Sequence, residues 1–198
     1  MPNLVVPDLS FTGSVIRLET LRPDHLPGLE AASKPGKIWT HYVRDVSVPE
    51  TFQKAFDQAA RSMQAGTEHC FVIIDQADQR IIGSTRFMDI QPSHRKLEIG
   101  WTWLHPDYWG TAVNPECKLL LLTYCFEQLN ISRVQIKTDE LNVRSRKAIE
   151  KLGAQFEGIL RNDMVREDNS YRNSAYYSII IQEWPVAKRL ITQQLSSF

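Results

Sequence analysis

The chain carries no excess charge of either sign, since 23 Lys and Arg balance 23 Asp and Glu over 198 residues. No global field therefore draws it to nucleic acid or to an anionic membrane, and any anion site has to be local. An aromatic-and-basic surface motif is also missing, which argues further against a nucleic-acid partner. No basic stretch leads into a long apolar run at 1–10 or elsewhere, so neither a signal peptide nor a membrane span is expected, and a cytoplasmic location follows. Cysteines are few. Cys70, Cys117 and Cys125 are odd in number and scattered in apolar contexts, without the spacing of a zinc site or a disulfide framework. No metal site is expected, and the thiols read as reduced core residues. A nucleophilic cysteine is the sharper alternative, disfavoured because no histidine is placed as its partner. Repeats, low-complexity segments and linkers are absent too, and the apolar content of 42% suffices for a core without staples, so one domain over 1–198 is expected.

What is present is a clear alternation of periods. Residues 15–18 read as a strand, followed by a helix from Pro23 toward Ala32. The segment 34–45 is irregular. Ser47 to Glu50 has capping-box spacing, and Phe52, Ala55, Phe56, Ala59 and Met63 recur on one helical face until Gly66. Runs at 70–75 and 81–89 form an antiparallel hairpin, and a third strand covers 97–104. Asn114, Pro115 and Glu116 place an N-cap, a proline at the first helical position and an acid in the first turn of a helix over 115–129. A strand at 133–138, a helix over 142–152 closed by Gly153, strands at 154–160 and 174–182 across a polar stretch 161–173, and a helix over 184–195 complete the chain. The order predicts an α+β or mixed α/β domain, helices flanking one central, mostly antiparallel sheet. Only the strand–helix–strand piece around Pro115 demands a parallel pair, and the crevice where that pair meets a helix N-terminus is the natural ligand site.

The loop entering that helix is suited to an anion. Small residues at Gly110 and Ala112 permit close approach, and the amides of Thr111 to Glu116 turn toward it at the positive end of a helix. Standing alone, such a loop is also an ordinary strand-to-helix turn. It does not stand alone. The chain reads Ile99-Gly100-Trp101-Thr102-Trp103-Leu104-His105-Pro106-Asp107-Tyr108-Trp109-Gly110-Thr111-Ala112-Val113-Asn114-Pro115-Glu116, and later Asn142-Val143-Arg144-Ser145 with Glu150-Lys151-Leu152-Gly153. Together these resemble the acetyl-CoA core of the GCN5-related N-acetyltransferase superfamily, and within it the branch that acetylates ribosomal-protein N-termini. Departures from its pattern are Asp107 in place of Gln or Arg, Ala112 in place of the second glycine, and Pro115, which removes an amide.

The resemblance implies acetyl-CoA as cofactor, bound by Trp103, Leu104 and His105 beside a splayed neighbouring strand, by Gly110, Thr111, Ala112, Val113 and Asn114 at the diphosphate, and by Asn142 and Ser145. Asn142 and Ser145 read equally as helix caps. At least one of Trp101 and Trp103 reads as core. The tyrosine that many members use as general acid falls at Ile149, which leaves Ser145 as the substitute. Glu98, on the strand whose end would hold the thioester, is the first choice of base, against a surface ion pair with Arg95 or Lys96. Asp163, His94, His105 and Tyr171 are weaker choices. The implied partner is an amine-bearing small molecule or a protein N-terminus, with a homodimer left open. Trp39, His41 and Tyr42 and the stretch 161–173 would frame the acceptor. The rival class is a non-catalytic acyl-CoA-binding domain on the same fold.

Overall fold

A computed structural model describes residues 8–198. One sheet organises them, with strands β1 (Ser10–Thr12), β2 (Ile16–Thr20), β3 (His69–Asp75), β4 (Ile81–Gln91), β5 (Lys96–Leu104), β6 (Arg133–Asp139), β7 (Gln155–Val165) and β8 (Tyr171–Ile180) in the order β1-β2-β3-β4-β5-β6-β8-β7. Every neighbouring pair is antiparallel except β5 and β6. The mixed sheet expected from the element order is thus observed.

Strand periodicity divides the apolar residues between two cores. On β3, Phe71 and Ile73 join a cluster with Leu121, Leu122, Ile149 and Ile191, while Val72 and Ile74 join Leu29, Trp39, Phe52 and Trp103. Helices α1 (Leu26–Ser33) and α2 (Pro49–Gln64) cover the second face. The first is covered by α3 (Val113–Thr123), α4 (Val143–Lys151) and α5 (Trp184–Leu195). α2 buries Phe52, Ala55 and Ala59, the stripe that the sequence displays. Each fully buried large side chain stabilises the fold by about 1.5–3 kcal/mol relative to exposure.

Several boundaries differ from the sequence reading. β1 carries no sequence signal: it is three residues long, too short for a period, and exists by pairing with β2. α2 is capped from Val48 with no side-chain bond, so Ser47 closes no capping box. α3 begins at Val113 with Ala112 as its N-cap, which puts Asn114 inside the first turn and Pro115 at its third position. The helix ends in a π turn, Tyr124–Gln128. The polar stretch 161–173 is mostly strand, because β7 runs to Val165 through an irregularity between Leu160 and Met164, and β8 starts at Tyr171.

Two details shape the centre of the sheet. β5 and β6 pair only at Lys96 with Arg133, Leu97 with Val134 and Glu98 with Gln135, then diverge, although both strands continue. Between Ser84–Trp103 and Arg86–Gly100 the pairing of β4 with β5 shifts, so Trp101 and Thr102 oppose Thr85 alone. Trp101 has a φ of 49°, the left-handed region, as a β-bulge requires.

Candidate active site

The divergence of β5 and β6 opens a cleft whose walls come from four elements. Thr102, Trp103 and Leu104 of β5, Gly110, Asn114 of α3, and Asn142, Arg144 and Ser145 at the start of α4 line a cavity of about 150 Å³. Deeper, between the strands themselves, Gly100, Trp101, Thr102, Lys118, Lys137, Asn142 and Ser145 line another of about 120 Å³. A third, of about 300 Å³, adjoins the α3 N-terminus and is lined by Gly110, Thr111, Asn114, Arg144, Lys147 and Lys151. Three basic residues beside a helix N-terminus make this groove suitable for phosphates.

Each element positions its residues for a local reason. Gly110 has a φ of 77°, and no atom lies within 4 Å of where its Cβ would be, so glycine is required by backbone conformation and not by crowding. Thr111 Oγ1 donates to the Tyr108 carbonyl at 2.8 Å, closing the loop before α3. Pro115 falls among the amides that have no intrahelical acceptor, so its missing N–H costs the helix nothing. Asn142 Oδ1 accepts from the Ser145 amide at 3.0 Å, the capping role, while Asn142 also lines both inner cavities. Ser145 borders the same two cavities.

Of the other expected residues, Val113 is buried in the core and offers only its backbone. Ala112 is the N-cap. His105 turns elsewhere: its amide donates to the Ile82 carbonyl at 2.7 Å, and its ring lies 3.4 Å from Asp107, lining a separate surface cavity. Ile149 is core.

Glu98 occupies the last paired position before the strands part and is 4% exposed. Its Oε2 accepts from Gln135 Nε2 at 2.8 Å and faces Lys137 Nζ at 3.6 Å. A Cβ at Gly100 would meet Glu98 Oε1 at 2.8 Å, so the carboxylate rests over a cleft-lining glycine. Burial raises its pKa, while Lys137 opposes the shift. The expected ion pair is therefore with Lys137, and not with Arg95 or Lys96. Asp163 joins this group through Tyr176, whose hydroxyl donates to it at 3.0 Å. His94 is exposed at the opposite end of β5, and Tyr171 is exposed at the β7–β8 turn.

Tyr42, from the segment expected to frame the acceptor, donates to the Thr102 carbonyl at 2.6 Å and packs with Trp39 and Trp101 at centroid distances of 5.1 and 5.7 Å. Trp103 is core in the same aromatic cluster. The cysteines are all fully buried, and burial pushes the Cys70 thiol up to about 11 and those of Cys117 and Cys125 upward as well. Thiols held protonated in this way are poor nucleophiles.

Two residues escaped the sequence reading. Arg144 stacks on Trp109, its guanidinium carbon 3.4 Å from the ring centroid, which fixes a cation beside Gly110. Lys118 is 4% exposed, and its Nζ donates to Thr102 Oγ1 at 2.6 Å. A signal existed for Lys118: it is a lone charge in the run Cys117 to Leu122, one helical turn after Asn114.

The family model for the acetyltransferase (GNAT) domain matches residues 16–155. The chain belongs to the GNAT acetyltransferase family. Bacillus subtilis (strain 168) YdaF, named as a candidate ribosomal N-acetyltransferase, is 30% identical over 107 residues, covering 54% of this chain and 57% of that protein. The chain thus spans little more than half the length of that relative. A GCN5-related N-acetyltransferase from Brucella melitensis superposes with a TM-score of 0.87 at 28% identity, covering 96% of this GNAT chain and 87% of that one. Spermidine N-acetyltransferase from Vibrio cholerae, solved with CoA and spermine, shares the fold at a TM-score of 0.73 and 18% identity, over 87% of this chain and 99% of that one.

Proposed function

We propose that the chain is a single N-acetyltransferase domain that transfers an acetyl group from acetyl-CoA to a primary amine, on a small molecule or a protein N-terminus, within one ternary complex. The observation that carries this reading is the cleft beyond Glu98, where a buried carboxylate stands at the point from which β5 and β6 diverge. Family membership and the cleft-lining residues support it together.

The residues present suit acetyl-CoA. Amides of Thr111, Ala112, Val113 and Asn114, aided by Arg144, Lys147 and Lys151, would hold its phosphates. The edge of β5 at Trp103 and Leu104, with Asn142, would receive the amide-bearing arm as a neighbouring strand would be received. When bound, acetyl-CoA supplies a thioester whose thiolate is the leaving group. Glu98 takes the proton from the entering ammonium; burial raises its pKa and so makes it a stronger base than a surface carboxylate, while Lys137 opposes that shift. Ser145 Oγ would donate to the departing sulfur, the acid role for which Ile149 offers no group; its place at the border of both inner cavities supports this.

No helix of the described residues is long and apolar enough to cross a membrane. Three free buried thiols support a cytoplasmic setting. The reading is tested by incubating the protein with acetyl-CoA and a panel of primary amines. Free thiol should appear in step with acetylated amine; CoA binding without thiol release from acetyl-CoA in the presence of any amine would instead identify a non-catalytic acyl-CoA-binding domain.

A further inference from the structure

A buried ammonium with no carboxylate beside it needs an explanation, because an unpaired interior charge is costly unless something compensates it. Lys118 is such a group. Among the described residues its one side-chain hydrogen-bond partner is the Thr102 hydroxyl, which is itself 2.7 Å from Thr85 Oγ1, and no carboxylate oxygen lies within 4.0 Å of its Nζ. Nearby acids are committed elsewhere: Glu116 on the same helix bonds the amides of Ser14, Val15 and Ile16, and Glu98 is held by Gln135 and Lys137.

Lys118 also lines the deeper cavity, together with Lys137, His41, Asn114 and Asn142, and no Asp or Glu among the described residues lines it. Thr102, Asn114, Asn142 and Ser145 border this cavity and the outer one alike. A group attached to the CoA sulfur and entering along β5 past Leu104 and Trp103 would therefore project into it. At about 120 Å³ it exceeds several-fold the space that one methyl-sized or water-sized group needs.

We infer that the donor site accepts a second class of acyl group, one ending in a carboxylate such as succinyl, whose anionic end pairs with Lys118. This rests on the acyl-CoA-dependent transfer proposed above. The carboxylate takes no part in bond making: the acceptor nitrogen gains the acyl carbon, the C–S bond breaks with its electron pair going to the CoA sulfur, and the amine proton leaves through Glu98. Burial holds the Lys118 pKa below the usual lysine value, and an anion at its side would favour the charged form.

The test compares CoA, butyryl-CoA and succinyl-CoA by calorimetry on the whole chain and on Lys118→Met, with transfer to an amine followed by mass spectrometry. Butyryl matches succinyl in carbon count and carries a methyl in place of the carboxylate. The native protein should bind succinyl-CoA at least about tenfold more tightly than butyryl-CoA and deliver succinyl to the amine. Lys118→Met should abolish or invert that preference while binding CoA as before. Equal affinity for succinyl- and butyryl-CoA in the native protein would overturn the inference and leave acetyl transfer standing, as would a Lys118→Met protein that loses affinity for all three alike. Failure of the native protein to bind CoA itself would overturn the acyltransferase reading, and this inference with it.

Discussion

Glu116 fills the space in which a side chain at Gly13 would begin: a Cβ there would meet the Glu116 carboxylate, which accepts from the amides of Ser14, Val15 and Ile16 at 2.6, 2.9 and 2.8 Å. The first turn of α3 is thus clamped to the turn between β1 and β2. Glu116→Gln should lower the free energy of unfolding by about 3 kcal/mol, since it weakens charge-assisted bonds and turns a donor toward donors. Gly13→Ala should cost about 1–3 kcal/mol by steric conflict at the same place. Urea denaturation at constant m reads both, and an unmoved midpoint in both variants would show the clamp to be dispensable.

Binding of CoA should raise the melting temperature of the native protein by mass action. Gly110→Val should remove most of that shift, because a β-branched residue resists the left-handed backbone that Gly110 adopts. Gly110→Asn should keep most of it, since Asn tolerates that region and the space around the position is open. If both variants fail equally, the loop needs absence of bulk and not a conformation.

Glu98→Gln should lower turnover on the order of a hundredfold, and Ser145→Ala only modestly. Because burial raises the Glu98 pKa, the native rate should climb with pH through a limb above the ordinary carboxylate range, as the base loses its proton. The folded protein also holds that proton more tightly than the unfolded chain, so this group's contribution to stability is full at acid pH and is lost as pH rises through the folded pKa. Glu98→Gln should erase both the limb and that slope. A full-rate variant would move the base elsewhere, with Asp163 the next group to replace.

Replacing Cys70, Cys117 and Cys125 one at a time with Ala should leave initial-rate kinetics sequential. All three thiols are buried and pushed upward in pKa, so the cost should fall on stability, about 1–2 kcal/mol each, and not on the chemistry. Ping-pong patterns, or an acetyl-cysteine whose loss ends activity, would replace direct transfer by an acyl-enzyme.

The long elements were legible because each repeats a period often enough to be read: α2 through its buried Phe52, Ala55 and Ala59, α5 to the residue, and β3 through its β-branched run. β1 was not, since three residues hold no period and the strand depends on Thr12 finding Arg17. The α3 start was read two residues late because Asn114 and Pro115 look like a cap and a first position, whereas the chain enters the helix at Val113. Among the site residues, Gly110, Asn114, Asn142, Ser145 and Glu98 could be named from motif and strand position. Lys118 shows in the sequence only as a lone charge in an apolar run, and Arg144 not at all, because what gives them a role is a desolvated cavity around one and an indole beneath the other, both made by residues distant in sequence.

The extra residue at Trp101 also changes the phase of β5. Upstream, the odd-numbered Leu97 and Ile99 look toward α3; downstream, it is Leu104 that joins that core, while Trp103 sides with α1 and α2. Thr102 inherits the α3-facing side, which is how its hydroxyl comes to meet Lys118. The two cores are thus exchanged along a single strand, at the point where it begins to form the cleft wall. Were the same residues to run on in unbroken alternation, without the bulge, Trp103 would turn into the α3 core and Leu104 among the tryptophans. Residue count at this bend is therefore as much a part of the site as residue identity.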